Sequence, residues 1–401
     1  MLRRIQLENF KAFEKTELDL TDGNLGRANH VALMLGPNGG GKTSLVDSLT
    51  FLKLSVLTLD PRSGVNLHDM AVSSRRLGSA DAPVLRFWIS NGQEDGEYLM
   101  EFGQDGDIVH ERLDYTINKN SGCIFDLYAD IEGNTAFSRQ LFKNIAAKDA
   151  FEYEVRKNWG RHTFLSILRR EMREYGKARL SELLGTGVMD FVEYVDGIIV
   201  CRPGHDNLGP RPVDRRPESG CSNDEDSLER FIHAAELFIN SVFGDRLSAR
   251  YERDGNGGYR MVLKKGGLDI PLEEESQGIR QAVRLLPGLL SAARGGVAVI
   301  DDVEHCIHEA VLKTLFEECL GNISGQVIAT THCTTLLEDA NPHGVFMVAD
   351  GKITPITSIE RTQKNHNNRT RYFKGVFGAL PDPVPVDLAE LAGAPANKNI
   401  I

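Results

Sequence analysis

Residues Gly36-Pro37-Asn38-Gly39-Gly40-Gly41-Lys42-Thr43 spell a complete G-x-x-x-x-G-K-[ST] phosphate-binding loop, and the flanking sequence has the form such a loop needs. His30-Val-Ala-Leu-Met-Leu35 is a short apolar run that reads as a buried strand, and Ser44 to Lys53 sets apolar residues at helical spacing. In a strand–loop–helix unit of this kind, glycines let successive backbone N–H groups turn inward on phosphate oxygens. The helix N-terminus adds the positive end of its dipole. Asn38, Gly39, Gly40, Gly41, Lys42, Thr43 and Ser44 are therefore the expected nucleotide-binding residues. Lys42 is expected to reach the β- and γ-phosphates, and the Thr43 hydroxyl to hold Mg²⁺.

Composition narrows the setting. The 401 residues carry 46 Lys+Arg against 57 Asp+Glu, a formal net charge of −11, which argues against a surface that coats DNA broadly and leaves room only for a local basic groove. Six cysteines occur without a C-x-x-C pair, so the sequence points to a reducing cytoplasm, not to a disulfide framework. Met1–Phe10 has basic residues but no uninterrupted apolar core, unlike a signal peptide, and no apolar run reaches membrane-spanning length. A soluble protein is expected.

Three further segments decide which kind of phosphate-loop protein this is. Gly296-Val-Ala-Val-Ile-Asp301-Asp302 is an apolar strand ending in two carboxylates, which sets Asp301 at the C-terminal edge of a parallel sheet as an Mg²⁺ ligand and Asp302 beside it to polarise an attacking water. Gly325 to His332 is a second apolar strand, ending in a histidine placed to sense a γ-phosphate. Glu275-Ser276-Gln277-Gly278-Ile279-Arg280 opens a helical run, where Ser276 and Gly278 can donate to a phosphate supplied by a second subunit.

In this order the four elements resemble the ATP-binding-cassette (ABC) ATPases. The resemblance implies that Gly36–Thr43 is Walker A, Ser276-Gln277-Gly278 the signature in its non-transporter form, Asp301 the Walker B aspartate, Asp302 the catalytic carboxylate and His332 the switch histidine. Ile5-Gln-Leu-Glu-Asn-Phe-Lys-Ala-Phe13 looks like the opening strand of the SMC-, RecF- and OLD-like branch. Asp301-Asp-Val-Glu304-His-Cys-Ile-His308 looks like the corresponding block of small bacterial ATPases related to the OLD proteins. Many of those are ATPase subunits of anti-phage systems such as PARIS, Septu and retron-linked modules. The resemblance covers roughly residues 1–55, 85–125 and 230–357. It implies ATP and Mg²⁺ as ligands, a homodimer or higher oligomer closed around ATP, and a separate nuclease or toxin effector, since no acid-rich nuclease block follows the head. The alternative is a RecF-like repair or recombination ATPase that clamps DNA.

Two departures from the family pattern bear on hydrolysis. Asp302 stands where the family has Glu, one methylene longer, so turnover is expected to be slow or to involve Glu304. Glu309 replaces the proline that usually follows the histidine. His305, Cys306, His308, His332 and Cys333 also permit a zinc reading, but they lack a closed four-ligand spacing.

The expected fold is thus α/β: a P-loop ABC-type head with a mixed sheet, an antiparallel β lobe and a helical insertion. Val84–Ser90, Glu97–Phe102 and Ile108–Tyr115 alternate between turn signals and read as the antiparallel lobe. The head is expected over 1–128 and 229–357, the helical insertion over 129–228 with a mobile loop at 202–226, and a C-terminal extension over 358–401.

Overall fold

The computed structural model of the chain describes residues 1–23, 26–60, 63–90, 94–117, 120–129, 135–137, 141–184, 187–204, 223–244, 246–253, 259–321, 323–359, 367–388 and 391. A six-stranded mixed sheet forms its centre, in the order Ile199–Cys201, Val297–Ile300, Gln326–Thr331, Val31–Leu35, Val345–Ala349, Lys352–Pro355. The first five strands run parallel, and the last pairs antiparallel across the Asp350-Gly351 turn. Both faces of the parallel strands are covered, so Val297–Ile300 and Gln326–Thr331 are buried at every residue, with consecutive apolar residues over 297–300 and 327–329 in place of an alternating pattern. The buried Gln326 side chain accepts from the Leu2 amide and donates to the carbonyls of Leu2 and Asn29, tying the N-terminal strand to this sheet.

A seven-stranded antiparallel sheet lies alongside. Its order is Thr135–Phe137, Asn120–Tyr128, Ile108–Ile117, Glu94–Phe102, Val84–Ser90, Leu2–Phe10, Phe13–Asp19. The lobe is larger than the three expected strands because Leu2–Phe10, Phe13–Asp19 and Asn120–Tyr128 also pair into it. Thr135–Phe137, which the sequence pattern assigns to a helical region, also pairs into it as an edge strand.

The helical insertion is not continuous either. Helices Ile145–Asn158, Phe164–Tyr175, Lys177–Leu183 and Val188–Asp196 lead into Ile199–Cys201, a short buried strand that pairs beside Val297–Ile300 in the central sheet. Of the loop expected over 202–226, most lies outside the described residues, and a helix already runs from Asn223 to Phe243. That helix packs Phe231, Ala235 and Ile239 on the strands Leu247–Arg253 and Tyr259–Lys265 and on Ile279, Val283 and Leu286. Of the C-terminal extension expected over 358–401, residues 360–366 lie outside the described residues. Farther on, the helix Asn368–Phe373 buries Tyr372 in the core of the head. Among the described residues no helix is long and apolar enough to cross a membrane.

One buried carboxylate joins lobe and insertion. Glu111, fully buried, accepts from Tyr98 Oη at 2.9 Å, Trp159 Nε1 at 2.8 Å and the Phe164 amide at 2.7 Å, where helix Phe164–Tyr175 begins. Burial outweighs these donors and pushes its pKa up to about 7.

Candidate functional site

The loop leaves the strand Val31–Leu35 and enters the helix Lys42–Ser55, and its glycines are set by close approach. A Cβ at Gly36 or Gly40 would lie 2.0 or 2.4 Å from the Val348 carbonyl oxygen, a backbone atom of the neighbouring strand. Gly41 adopts φ +114° against the Phe13 ring, a conformation that disfavours any side chain. Lys42 Nζ donates to the carbonyls of Gly36 at 2.9 Å and Pro37 at 3.0 Å, which curls the loop around its own lysine. Asn38, Gly39 and Thr43 are exposed and Ser44 is half-buried, so the outer rim of the loop faces solvent.

Three carboxylates gather about that lysine. Burial lowers the Lys42 pKa, and the charges of Asp302, Glu304 and Asp301 oppose the shift, in that order. The topology explains the grouping: Gln326–Thr331 lies between Val31–Leu35 and Val297–Ile300, and all three strands point the same way. Their C-terminal ends therefore share one edge. Asp301 is buried, and its Oδ1 accepts from Thr330 Oγ1 at 2.6 Å. Burial raises its pKa, with Thr330 opposing. The same Thr330 hydroxyl accepts from the Asp302 amide at 2.8 Å and so holds Asp302 in a left-handed conformation, φ +45°. Glu304 accepts from Thr331 Oγ1 at 2.7 Å and from the His332 amide. The His332 side chain is exposed at that strand end, whereas His308 caps the next helix by accepting from the Ala310 amide.

Ser276 and Gly278 sit elsewhere. Ser276 caps the helix Gln277–Ala293, and the Gly278 backbone approaches the Cys306 carbonyl so closely that a Cβ would lie 2.9 Å from it. Cys306 Sγ donates to Gln277 Oε1 at 3.0 Å. Among the described residues no hydrogen bond joins Ser276 or Gly278 to the phosphate loop of the same chain.

Three residues that the sequence reading passed over belong to the site's inner wall. Asp47, buried on the loop helix, pairs with Lys11 from the first hairpin and with Arg202. Arg202 also donates to Thr50 Oγ1 at 2.9 Å, and its charge lowers the Asp301 pKa. An acid among Leu45, Val46 and Leu49 on an otherwise buried helix needs a cationic partner, and that was the available signal.

The residues present fit a magnesium-bound triphosphate. Asp301 is a buried carboxylate whose protein donor is a neutral hydroxyl, and the exposed Thr43 hydroxyl opens the helix that follows the loop. Among the described residues no group of three or more His, Cys, Asp or Glu side chains forms a metal cluster. Mg²⁺ usually takes one or two protein ligands and completes its shell with water and phosphate oxygens, a demand that Asp301 and the Thr43 hydroxyl can meet.

Two family models match the sequence, each over less than half of it. "AAA domain" matches residues 4–158, which contain the loop. "AAA domain, putative AbiEii toxin, Type IV TA system" matches residues 207–338, which contain Ser276, Gly278, Asp301, Asp302, Glu304 and His332. No curated protein matches the chain significantly. Among solved structures, the SMC head domain from Thermotoga maritima aligns at 15% identity and a TM-score of 0.42, covering 88% of this chain and 98% of that one. The Smc head domain with an extended coiled coil bound to the C-terminal domain of ScpA, from Pyrococcus furiosus, aligns at 12% identity and a TM-score of 0.41, covering 88% and 95%. The loop geometry and the two family matches agree: residues 4–158 and 207–338 are each similar to P-loop ATPase domains of the AAA type.

Proposed function

We propose that this chain binds and hydrolyses ATP, closes as a dimer around the nucleotide, and controls a separate nuclease or toxin effector in an anti-phage defence complex. The observation that carries the reading is the Lys42 ammonium, held by loop carbonyls and faced by Asp301, Asp302 and Glu304 on one sheet edge. In this reading Lys42 exchanges the Gly36 and Pro37 carbonyls for phosphate oxygens, gaining charge-assisted hydrogen bonds. Thr43 and Asp301 would hold Mg²⁺, which would neutralise charge on the phosphates. Asp302, fixed through its amide by Thr330, orients the attacking water, and His332 faces the γ-phosphate from the neighbouring strand end.

Ser276 and Gly278 are assigned to the partner's nucleotide, since they are exposed or half-buried and make no hydrogen bond to this chain's own loop among the described residues. The defence assignment draws on the toxin–antitoxin wording of the family matched over 207–338. The test is to purify the protein with the product of the adjacent gene and measure ATP turnover with and without it, then repeat with duplex DNA across a salt series. A stable complex whose effector activity follows ATP state supports the reading. DNA-stimulated turnover with a steep salt dependence and no co-purifying effector replaces it with the DNA-clamp alternative.

A further inference from the structure

The turn that follows the paired aspartates is held at both ends in conformations that side chains rarely adopt: Asp302 at φ +45° and Cys306 at φ +59°. Such strain persists only where surrounding contacts over-determine it. Within the turn, the His305 amide donates to the Asp302 carbonyl at 2.8 Å and the Ile307 amide to the Glu304 carbonyl at 2.9 Å. At one end the Val303 amide donates to the Thr330 carbonyl at 3.0 Å. At the other, Cys306 meets Gln277 through its thiol and Gly278 through its carbonyl. Glu304 lies between, one carboxylate oxygen on Thr331 Oγ1 and the other on the His332 amide.

We infer that Glu304 is a positioning residue and not the general base: it latches the turn 302–306 to the strand end 330–332, so that the two move as one body. That body carries Asp302 near Lys42 and ends in His332, which follows Thr331 where this strand pairs with Leu35 of the loop's own strand, and through Cys306 it touches the first turn of the helix Gln277–Ala293. A displacement of this helix start, such as phosphate docking at Ser276 would produce, is thereby passed to the water-orienting carboxylate and to the switch histidine together. The kinetic part of this inference rests on the ATPase reading above, whereas the mechanical part does not.

The experiment compares the full-length wild type with Glu304→Gln, Thr331→Val and the double variant, by amide hydrogen exchange and by steady-state ATP hydrolysis. Without nucleotide, Glu304→Gln is expected to speed exchange of the amides in 302–308 and 330–333 together, by about tenfold, as one cooperative unit loosens. Faster exchange in only one of the two segments, or in neither, overturns the latch. In turnover, Glu304→Gln is expected to lower kcat about tenfold or more with the KM for ATP within about twofold. Thr331→Val should act in the same direction, and the double variant should fall short of the sum of the two single effects, because both remove the Glu304–Thr331 contact, while Thr331 Oγ1 in addition accepts from the Cys333 amide at 2.9 Å. The acid limb of the kcat–pH profile should survive in every variant. Loss of that limb in Glu304→Gln, or full additivity in the double variant, makes Glu304 the base and rejects the positioning role. If the wild type hydrolyses no ATP, the ATPase reading fails, and the exchange result still decides the latch.

Discussion

Thr330 Oγ1 stands 2.6 Å from Asp301 Oδ1, a hydrogen bond that crosses from one central strand to the next. Because the same oxygen accepts the Asp302 amide, a single hydroxyl sets both acids of the site. Thr330→Val keeps the volume and removes both contacts. The expected loss is about 1–3 kcal/mol of unfolding free energy, the range for leaving a buried polar group unpaired, with a further rise in the Asp301 pKa. Chemical denaturation gives the first quantity, and the pH dependence of Mg²⁺-supported ATP binding gives the second.

Lys42 donates to two loop carbonyls and faces three acids, so its replacement removes a cation aimed into the loop. Lys42→Ala is expected to fold and to bind ATP roughly ten- to a hundredfold more weakly, in line with losing hydrogen bonds to a charged group. Equilibrium binding of a fluorescent ATP analogue checks this. Undiminished affinity would remove the loop from the account.

Ser276 caps its helix and is exposed. Ser276→Arg should leave nucleotide binding to the isolated chain intact while blocking ATP-dependent association, and turnover should fall with it. Light scattering with and without Mg·ATP reads the association. An unaltered ATP-dependent dimer would argue against a site shared between two chains.

Glu111 predicts a pH dependence of stability remote from the nucleotide. Its pKa is raised by folding from 4.5 to about 7, so the folded state holds a proton that the unfolded chain releases in that interval. Its contribution is present at low pH and is lost as pH rises from 4.5 through about 7, amounting to ~3 kcal/mol. Glu111→Gln cannot ionise. Denaturation across this range should therefore show the wild type losing stability relative to the variant, with no further relative change above pH 8. A constant difference at every pH would contradict the buried, protonatable state.

The loop, the apolar strands leading into it and into Asp301 and His332, and three strands of the lobe were legible because each is a local pattern: a motif, a buried run or an alternation. The remainder depends on contacts between distant residues. Leu2–Phe10 alternates as any half-buried strand would, and only its pairing with Val84–Ser90 assigns it to the lobe. Ile199–Cys201 is three residues long, too short to show a period, yet it completes the edge beside Asp301. Arg202 reads as the start of a polar loop, and its partner Asp47 lies 155 positions away. Thr330 and Thr331 look like ordinary strand residues until their hydroxyls are seen to hold Asp301 and Glu304.

The most direct measurement is Mg²⁺-dependent ATP turnover by the full chain over a range of protein concentrations, alongside Lys42→Ala and Asp302→Asn. The account predicts turnover whose specific rate rises with protein concentration as dimers form, a Lys42→Ala variant at background, and an Asp302→Asn variant that binds Mg·ATP yet turns it over at least about tenfold more slowly. Wild-type turnover no greater than that of Lys42→Ala at every concentration would contradict it.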